Sequence, residues 1–467
     1  MNIFFGTDGW RGLLDKEINP ESISLVAQAF ADYMKDGNLK KAAIAFDGRR
    51  DSDNFAILFA EVLSGNGLEV YLSNTIIPTP VLSFFVKKHG CDCGVMITAS
   101  HNPGIYNGVK FKDNYGGPFF TEKTIMVEKY LGKSEVLNSN DNIRITDFIP
   151  GYFEQLSQIL DLELIKSAQF KFVTDSMFGA GTNIIEQFLN LLGKNNCVTI
   201  CGTPLKDFGG RVAEPIEKNL QPLSRYLKDN PEYAFGTATD GDADRLGILL
   251  DGGKWLSAQM TILLIADYLI NVKKMKGKLV KTSSVTGKLN STFPHLIIDD
   301  VQVGFKYICE SMLQGDSLLG AEESGGYGYG FHIPERDGIF SALLFVEMLA
   351  YYGYEKLSEL ANIKTVELGE IFYDRIDHHY DNPERMKILP DLYLTQPIKI
   401  GNFEVSNIQS FNSSRGIVNG LKFELGDSDR WLLIRASETE PLIRLYAEGK
   451  CNTEVDTILN EGLKYFS

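Results

Sequence analysis

Lys41-Ala-Ala-Ile-Ala-Phe-Asp47 runs into the polar turn Gly48-Arg-Arg-Asp-Ser52, then into an apolar-periodic stretch over residues 54–64, then through Gly65-Asn-Gly67 into Leu68-Glu-Val-Tyr-Leu72. A short apolar run that stops at a polar turn reads as a buried strand. Apolar residues spaced by three and four read as a helix. Strand, turn, helix, strand is a βαβ unit, and it implies a mostly parallel sheet. The pattern recurs at Phe170-Lys-Phe-Val-Thr-Asp175, with the turn Ser176-Met-Phe-Gly-Ala-Gly181, a helix over residues 182–192 and the strand Cys197-Val-Thr-Ile200. A weaker version begins at Leu279-Val-Lys-Thr-Ser283.

These repeats set the organisation. A chain of 467 residues is too long for one compact core. We expect an α/β protein with four domains around a central cleft. Three are related α/β domains, over 1–148, 149–252 and 253–364. The fourth, 365–467, is a smaller α+β domain, because strand-like runs over 398–405, 420–425, 431–435 and 443–447 precede a helix over 454–465. In parallel sheets ligands gather at the carboxyl ends of the strands, so one loop from each domain is expected to reach the cleft.

Charge narrows the partners. The net charge of −15 argues against nucleic acid and anionic membrane surfaces, both of which reward clustered cations. An anionic substrate would need local positive charge to overcome that field. No run of about 18 apolar residues occurs, and the first residues lack a secretory pattern, so a cytoplasmic protein is expected. The six cysteines, Cys91, Cys93, Cys197, Cys201, Cys309 and Cys451, have no zinc-type spacing and read as reduced thiols.

Two loops carry the chemistry. Thr98-Ala-Ser-His-Asn-Pro103 follows the apolar run Cys93-Gly-Val-Met-Ile97 and places Ser100 at a strand end. It reads either as a turn whose Ser and Asn satisfy the backbone or as a nucleophile loop. Adjacency alone does not make Ser100 and His101 a dyad, since neighbours on a strand point to opposite faces. Lys110 lies just beyond. Asp240-Gly-Asp-Ala-Asp-Arg245 places three carboxylates at alternate positions, on one side of an extended segment. All-oxygen donors favour Mg²⁺ or Ca²⁺, and a solvated acidic turn is the alternative. An EF-hand loop would require Gly at its sixth position and Glu at its twelfth, where this chain has Arg245 and Asp251.

Three further loops are weaker signals. Gly6-Thr-Asp-Gly-Trp-Arg-Gly12 is a glycine-rich turn carrying Arg11. Leu319-Gly-Ala-Glu-Glu-Ser-Gly-Gly326 offers Glu322, Glu323 and Ser324 to sugar hydroxyls, and leads on to His332-Ile-Pro-Glu-Arg-Asp-Gly338. Arg435-Ala-Ser-Glu-Thr-Glu-Pro441 combines an arginine with two hydroxyls on a turn, a phosphate cradle or a salt-bridged surface turn.

Together the five loops resemble the α-D-phosphohexomutase family, of phosphoglucomutase/phosphomannomutase type, in order and over the whole chain. The resemblance implies that Ser100 carries a phosphoryl group. It implies Mg²⁺ held by Asp240, Asp242, Asp244 and that phosphoserine, with Arg11, His101 and Lys110 close to it and Lys110 a candidate proton carrier. It further assigns Glu322 and Ser324 to the sugar hydroxyls, and Arg435, Ser437 and Thr439 to the phosphate that does not react. Arg245 is counted with the substrate-binding residues. Many bacterial members have His where this chain has Gly326. The segment 332–338 is more like the phosphoglucomutase branch, where a basic residue, here Arg336, reaches the site. The turn is Thr-Ala-Ser rather than the Ser-Ala-Ser associated with phosphoglucosamine mutases, although Asp8 also occurs there.

The implied reaction interconverts glucose 1-phosphate and glucose 6-phosphate through glucose 1,6-bisphosphate, which turns around while the fourth domain opens and closes. Mannose phosphates or dual specificity rank next, then glucosamine phosphates. A phosphoserine-dependent phosphatase and a non-catalytic sugar-phosphate sensor are the rivals from other classes. Hexose phosphates are the expected partners, and a monomer or small homo-oligomer the expected state.

Overall fold

The computed structural model describes every residue except 1, 2, 7, 8, 383, 414, 415, 438–440 and 467. Two compact units emerge, one of Met1–Ala258 with Ser324–Ala361, the other of Gln259–Glu323 with Asn362–Ser467.

The first unit holds two sheets. In the larger, the strands run in the spatial order Trp10–Leu13, Tyr106–Asp113, Cys93–Ile97, Lys41–Phe46, Glu69–Ser73, Ile143–Thr146. The strand Lys41–Phe46 pairs in parallel with Cys93–Ile97 on one side and Glu69–Ser73 on the other, as the βαβ reading requires. Tyr106–Asp113 and Trp10–Leu13 extend it antiparallel. The helices Pro20–Asp36 and Ser52–Gly65 close a core of Phe30, Phe59, Ile44, Val95 and Phe111. Asn19 starts the first of these with a capping box to Ser22, and Pro20 fits the first turn, where no amide partner is needed. The second sheet runs Trp255–Leu256, Leu246–Leu250, Tyr233–Thr239, Lys171–Asp175, Cys197–Ile200, with its last three strands parallel. The helix Gly338–Tyr352 also belongs to this unit.

The second unit holds a parallel trio, Ile298–Val301, Lys278–Thr282 and Ser317–Ala321. It also holds an antiparallel sheet in the order Phe372–His379, Leu442–Gly449, Trp431–Ala436, Val418–Glu424, Asn407–Asn412. The helices Arg385–Thr395 and Asn452–Leu463 pack on this sheet through Leu389, Leu392, Val455, Ile458 and Leu459.

The expected strand over 398–405 is instead a small separate hairpin, Lys399–Ile400 with Phe403–Glu404, because Gly401 turns at φ 58°. No helix among the described residues is long and apolar enough to cross a membrane.

Candidate active site

The first unit brings two strand ends together. Cys93–Ile97 delivers the turn with Ser100, and Tyr233–Thr239 delivers Asp240. Ser100 is fully buried and its Oγ donates to Asp240 Oδ2 at 2.9 Å. The contact is close along the backbone too: a Cβ on Gly241 would collide with the Ser100 carbonyl. Ser100 adopts φ 52°, in the left-handed region that costs a non-glycine residue about 1–3 kcal/mol. His101 Nδ1 lies 3.5 Å from Ser100 Oγ, at the limit of a hydrogen bond.

The acidic trio converges by a different route from the one its spacing suggested. Residues 241–243 form a turn, with Ala243 at φ 57°, rather than an extended segment. Asp240, Asp242 and Asp244 are all fully buried, and one carboxylate oxygen from each lies within 4.8 Å of the others. Asp240 Oδ1 accepts from the amides of Asp244 and Arg245 at 3.0 and 3.2 Å. Asp242 Oδ2 accepts from Thr79 Oγ1 at 2.7 Å and Lys110 Nζ at 2.8 Å. Asp244 Oδ2 meets Lys110 Nζ at 3.2 Å and Arg336 Nη2 at 2.7 Å.

Charge follows this packing. Burial, and then the charges of Asp244 and Asp242, push Asp240 well above the usual carboxylate range. Burial also opposes ionisation of Asp242, but Lys110 and the hydroxyl of Thr79 outweigh it and hold this carboxyl below that range. Burial, with Arg245, Arg11 and Lys110 nearby, holds His101 well below its ordinary pKa, so its imidazole is neutral at pH 7. Lys110 and Arg245 also face the acidic trio, so cations and carboxylates alternate around this turn.

Of the remaining expected residues, Arg11 Nη1 donates to Asn102 Oδ1 at 2.7 Å. Arg245 Nη1 approaches Glu214 Oε1 at 3.7 Å, and its Nε approaches Asp240 Oδ2 at 3.9 Å. Arg336 stands on a segment held by the buried Lys112–Glu335 ion pair, and Lys112 lies two residues beyond Lys110 on one strand. Ser324 is half-buried in the same unit.

Glu322, Arg435 and Ser437 belong to the second unit. There Glu323 turns back to accept from Ser284 Oγ at 2.5 Å, whereas Glu322 is buried. Arg435 sits on the strand Trp431–Ala436, and the Ser437 amide bonds the Leu442 carbonyl at 2.9 Å. Thr439 lies outside the described residues, as do Thr7 and Asp8. Thr79 escaped the sequence reading, because nothing local marks a helix-start threonine whose partner stands 163 residues away.

Comparison with known proteins agrees with this geometry. Four phosphoglucomutase/phosphomannomutase family models match in order: α/β/α domain I over residues 2–136, α/β/α domain II over 150–253, α/β/α domain III over 257–366 and the C-terminal domain over 399–461. The chain therefore belongs to the phosphoglucomutase/phosphomannomutase family of α-D-phosphohexomutases, with its four-domain α/β fold. It is a mutase, an isomerase acting by intramolecular phosphotransfer.

Among its relatives is a phosphoglucosamine/phosphogalactosamine mutase of Sulfurisphaera tokodaii, 30% identical over 99% of this chain and 98% of the relative. A phosphoglucomutase/phosphomannomutase of Thermococcus kodakarensis is 27% identical over 99% and 98%. The crystal structure of a Thermus thermophilus protein provisionally named phosphomannomutase superposes with a TM-score of 0.85 at 32% identity, covering 99% of this chain and 98% of that one.

Proposed function

We propose that the protein interconverts glucose 1-phosphate and glucose 6-phosphate through a phosphoserine at Ser100 and glucose 1,6-bisphosphate. The observation that carries this reading is the 2.9 Å approach of Ser100 Oγ to an acidic trio whose oxygens lie within 4.8 Å. The trio fits a hard divalent cation such as Mg²⁺: its donors are all oxygen, and Asp242 Oδ1 and Asp244 Oδ1 are buried without a hydrogen-bond partner among the described residues. Asp240, Asp242 and Asp244 would hold the ion together with a phosphoserine oxygen. Bound there, it supplies electrostatic stabilisation to the transferring phosphoryl group.

The chain's own groups divide the remaining work. Ser100 Oγ carries the phosphoryl group and gives it to the free hydroxyl of the sugar phosphate. Lys110 Nζ, an ammonium held between Asp242 and Asp244, is the proton carrier: it gives a proton to Ser100 Oγ as the phosphoryl group departs and, once neutral, takes the proton of the attacking sugar hydroxyl, the reverse step running the other way. His101 stays neutral, while Arg11 and Arg245 balance phosphate charge. Glu322 and Ser324 orient the sugar hydroxyls. Arg435, Ser437 and Thr439 grip the second phosphate, and a guanidinium fork suits that task in either orientation of the bisphosphate. Domain boundaries at 148, 252 and 364 go with this reading.

Arg336 favours glucose over the other sugars. The Sulfurisphaera relative supports a second reading, an amino-sugar phosphate. Comparing kcat/KM for the 1-phosphates of glucose, mannose and glucosamine, with Mg²⁺ and trace bisphosphate, tests the choice. Glucose 1-phosphate is expected to lead, and a lead for glucosamine 1-phosphate would install the second reading. Free phosphate released in place of isomer would install a phosphatase.

A further inference from the structure

Arg49 is buried and is bonded to the loop that carries Ser100 at four places. Its Nη2 donates to the carbonyls of Ser100 and Asn102, and its Nη1 to those of Pro103 and Tyr106 at 2.9 and 3.0 Å. Its Nε donates to Asp47 Oδ2 at 3.0 Å. The guanidinium face stacks on Phe208, 4.6 Å from the ring centroid. All five donors are thereby used, and both the edge and the face of the group are packed.

The Asp47 side of this pair reaches Ser100 from its other end. The Ser100 amide donates to Thr98 Oγ1 at 2.8 Å, and the Thr98 hydroxyl donates to Asp47 Oδ2 at 2.6 Å. The amide and the carbonyl of Ser100 are therefore tied, one through Thr98 and one directly, to a single buried ion pair. Between those two ties Ser100 holds φ 52°. A left-handed serine persists only where its surroundings over-determine it. Here the ties that do so are these hydrogen bonds.

We propose that Arg49 is a positioning residue for phosphoryl transfer. With Asp47 and Thr98 it clamps the backbone of Ser100 in the left-handed turn, and that conformation aims Oγ at the acidic trio. The inference rests on Ser100 being the nucleophile. A lysine could keep the charge opposite Asp47 but cannot span four carbonyls with a planar fork.

Arg49→Lys is therefore expected to lower kcat for glucose 1-phosphate about 100-fold while KM moves less than about threefold, since a displaced reacting atom costs rate and leaves substrate binding intact. Arg49→Ala is expected to regain about tenfold in kcat with added guanidinium at concentrations that do not denature the protein, and Ser100→Ala nothing. A purely structural arginine would lower the melting temperature and active fraction, leave kcat per folded molecule unchanged and show no rescue.

Should Arg49→Lys fail to fold, Thr98→Val removes the amide-side tie at nearly constant volume and decides the matter. A fall in kcat at constant KM supports the clamp, and an unchanged kcat overturns it. Intact-mass analysis of the cycling wild type separates the two layers of the argument. A phosphorylated wild type beside a fully active Arg49→Lys overturns the clamp alone. A wild type that never carries phosphate on Ser100 removes the nucleophile and the clamp together.

Discussion

Ser100 and Asp242 take different parts, and substitution separates them. Ser100→Ala deletes the only atom proposed to bond the phosphoryl group. Its turnover is expected to fall at least about 1,000-fold in a coupled glucose 6-phosphate assay, as loss of a covalent nucleophile does elsewhere. Asp242→Asn keeps the shape, including an acceptor for Thr79, but removes a charge from the trio. We expect a weaker apparent Mg²⁺ affinity together with a lower rate, and an unchanged Mg²⁺ titration would remove Asp242 from the ligand set. Ser100 and the trio stand out in the sequence because each sits in a short motif of unusual residues, and the fold brings the two motifs within hydrogen-bond reach. Thr79 and Arg49 do not. Gly48-Arg-Arg-Asp-Ser52 reads as an ordinary polar turn, and the four bonds from Arg49 to backbone carbonyls run to residues more than fifty positions away. Long-range hydrogen bonds leave no local pattern.

At the scale of elements, the helix Gly338–Tyr352 shows how one residue joins structure to site. Asp337 caps it by accepting from the Phe340 amide at 2.8 Å, and it also accepts from Tyr152 OH at 2.8 Å and His332 Nε2 at 2.9 Å. Asp337 is fully buried, and its neighbour Arg336 reaches Asp244. Asp337→Ala removes the cap and strands two buried polar groups, so a loss of about 3 kcal/mol or more is expected in urea unfolding. Asp337→Asn retains one acceptor oxygen and should lose less; equal losses would mean that the charge, not the cap, dominates.

Legibility at this scale followed burial. Lys41–Phe46, buried through Ala42 to Ala45, announced itself as a strand, and so did Trp431–Ala436. Phe372–His379 did not: it is an edge strand whose Asp374, Arg375, Asp377 and His379 mask any apolar alternation. The helix Arg385–Thr395 carries Pro390, which argues for a break in any sequence reading.

Across the whole molecule the electrostatics are divided. The protein carries −15, while Arg11, Arg245 and Lys110 lie near His101, beside the proposed nucleophile Ser100. A hexose phosphate is an anion, so the distant surface carboxylates repel it and the nearby cations attract it. These two terms respond differently to salt. The Debye length falls from about 30 Å at 0.01 M to about 10 Å at 0.1 M ionic strength. The first length spans much of the molecule, so the net charge is felt at encounter. The second removes most of that repulsion and leaves pairs at contact distance largely intact. Raising KCl from about 10 to about 100 mM should therefore increase kcat/KM for glucose 1-phosphate by about two- to threefold, chiefly by lowering KM. The substrate must be used well below KM, with Mg²⁺ fixed, so that ion competition at the trio does not intrude. A steady fall over the same range would mean that the local cations already dominate at long distance, and that the acidity of the surface has no bearing on substrate capture.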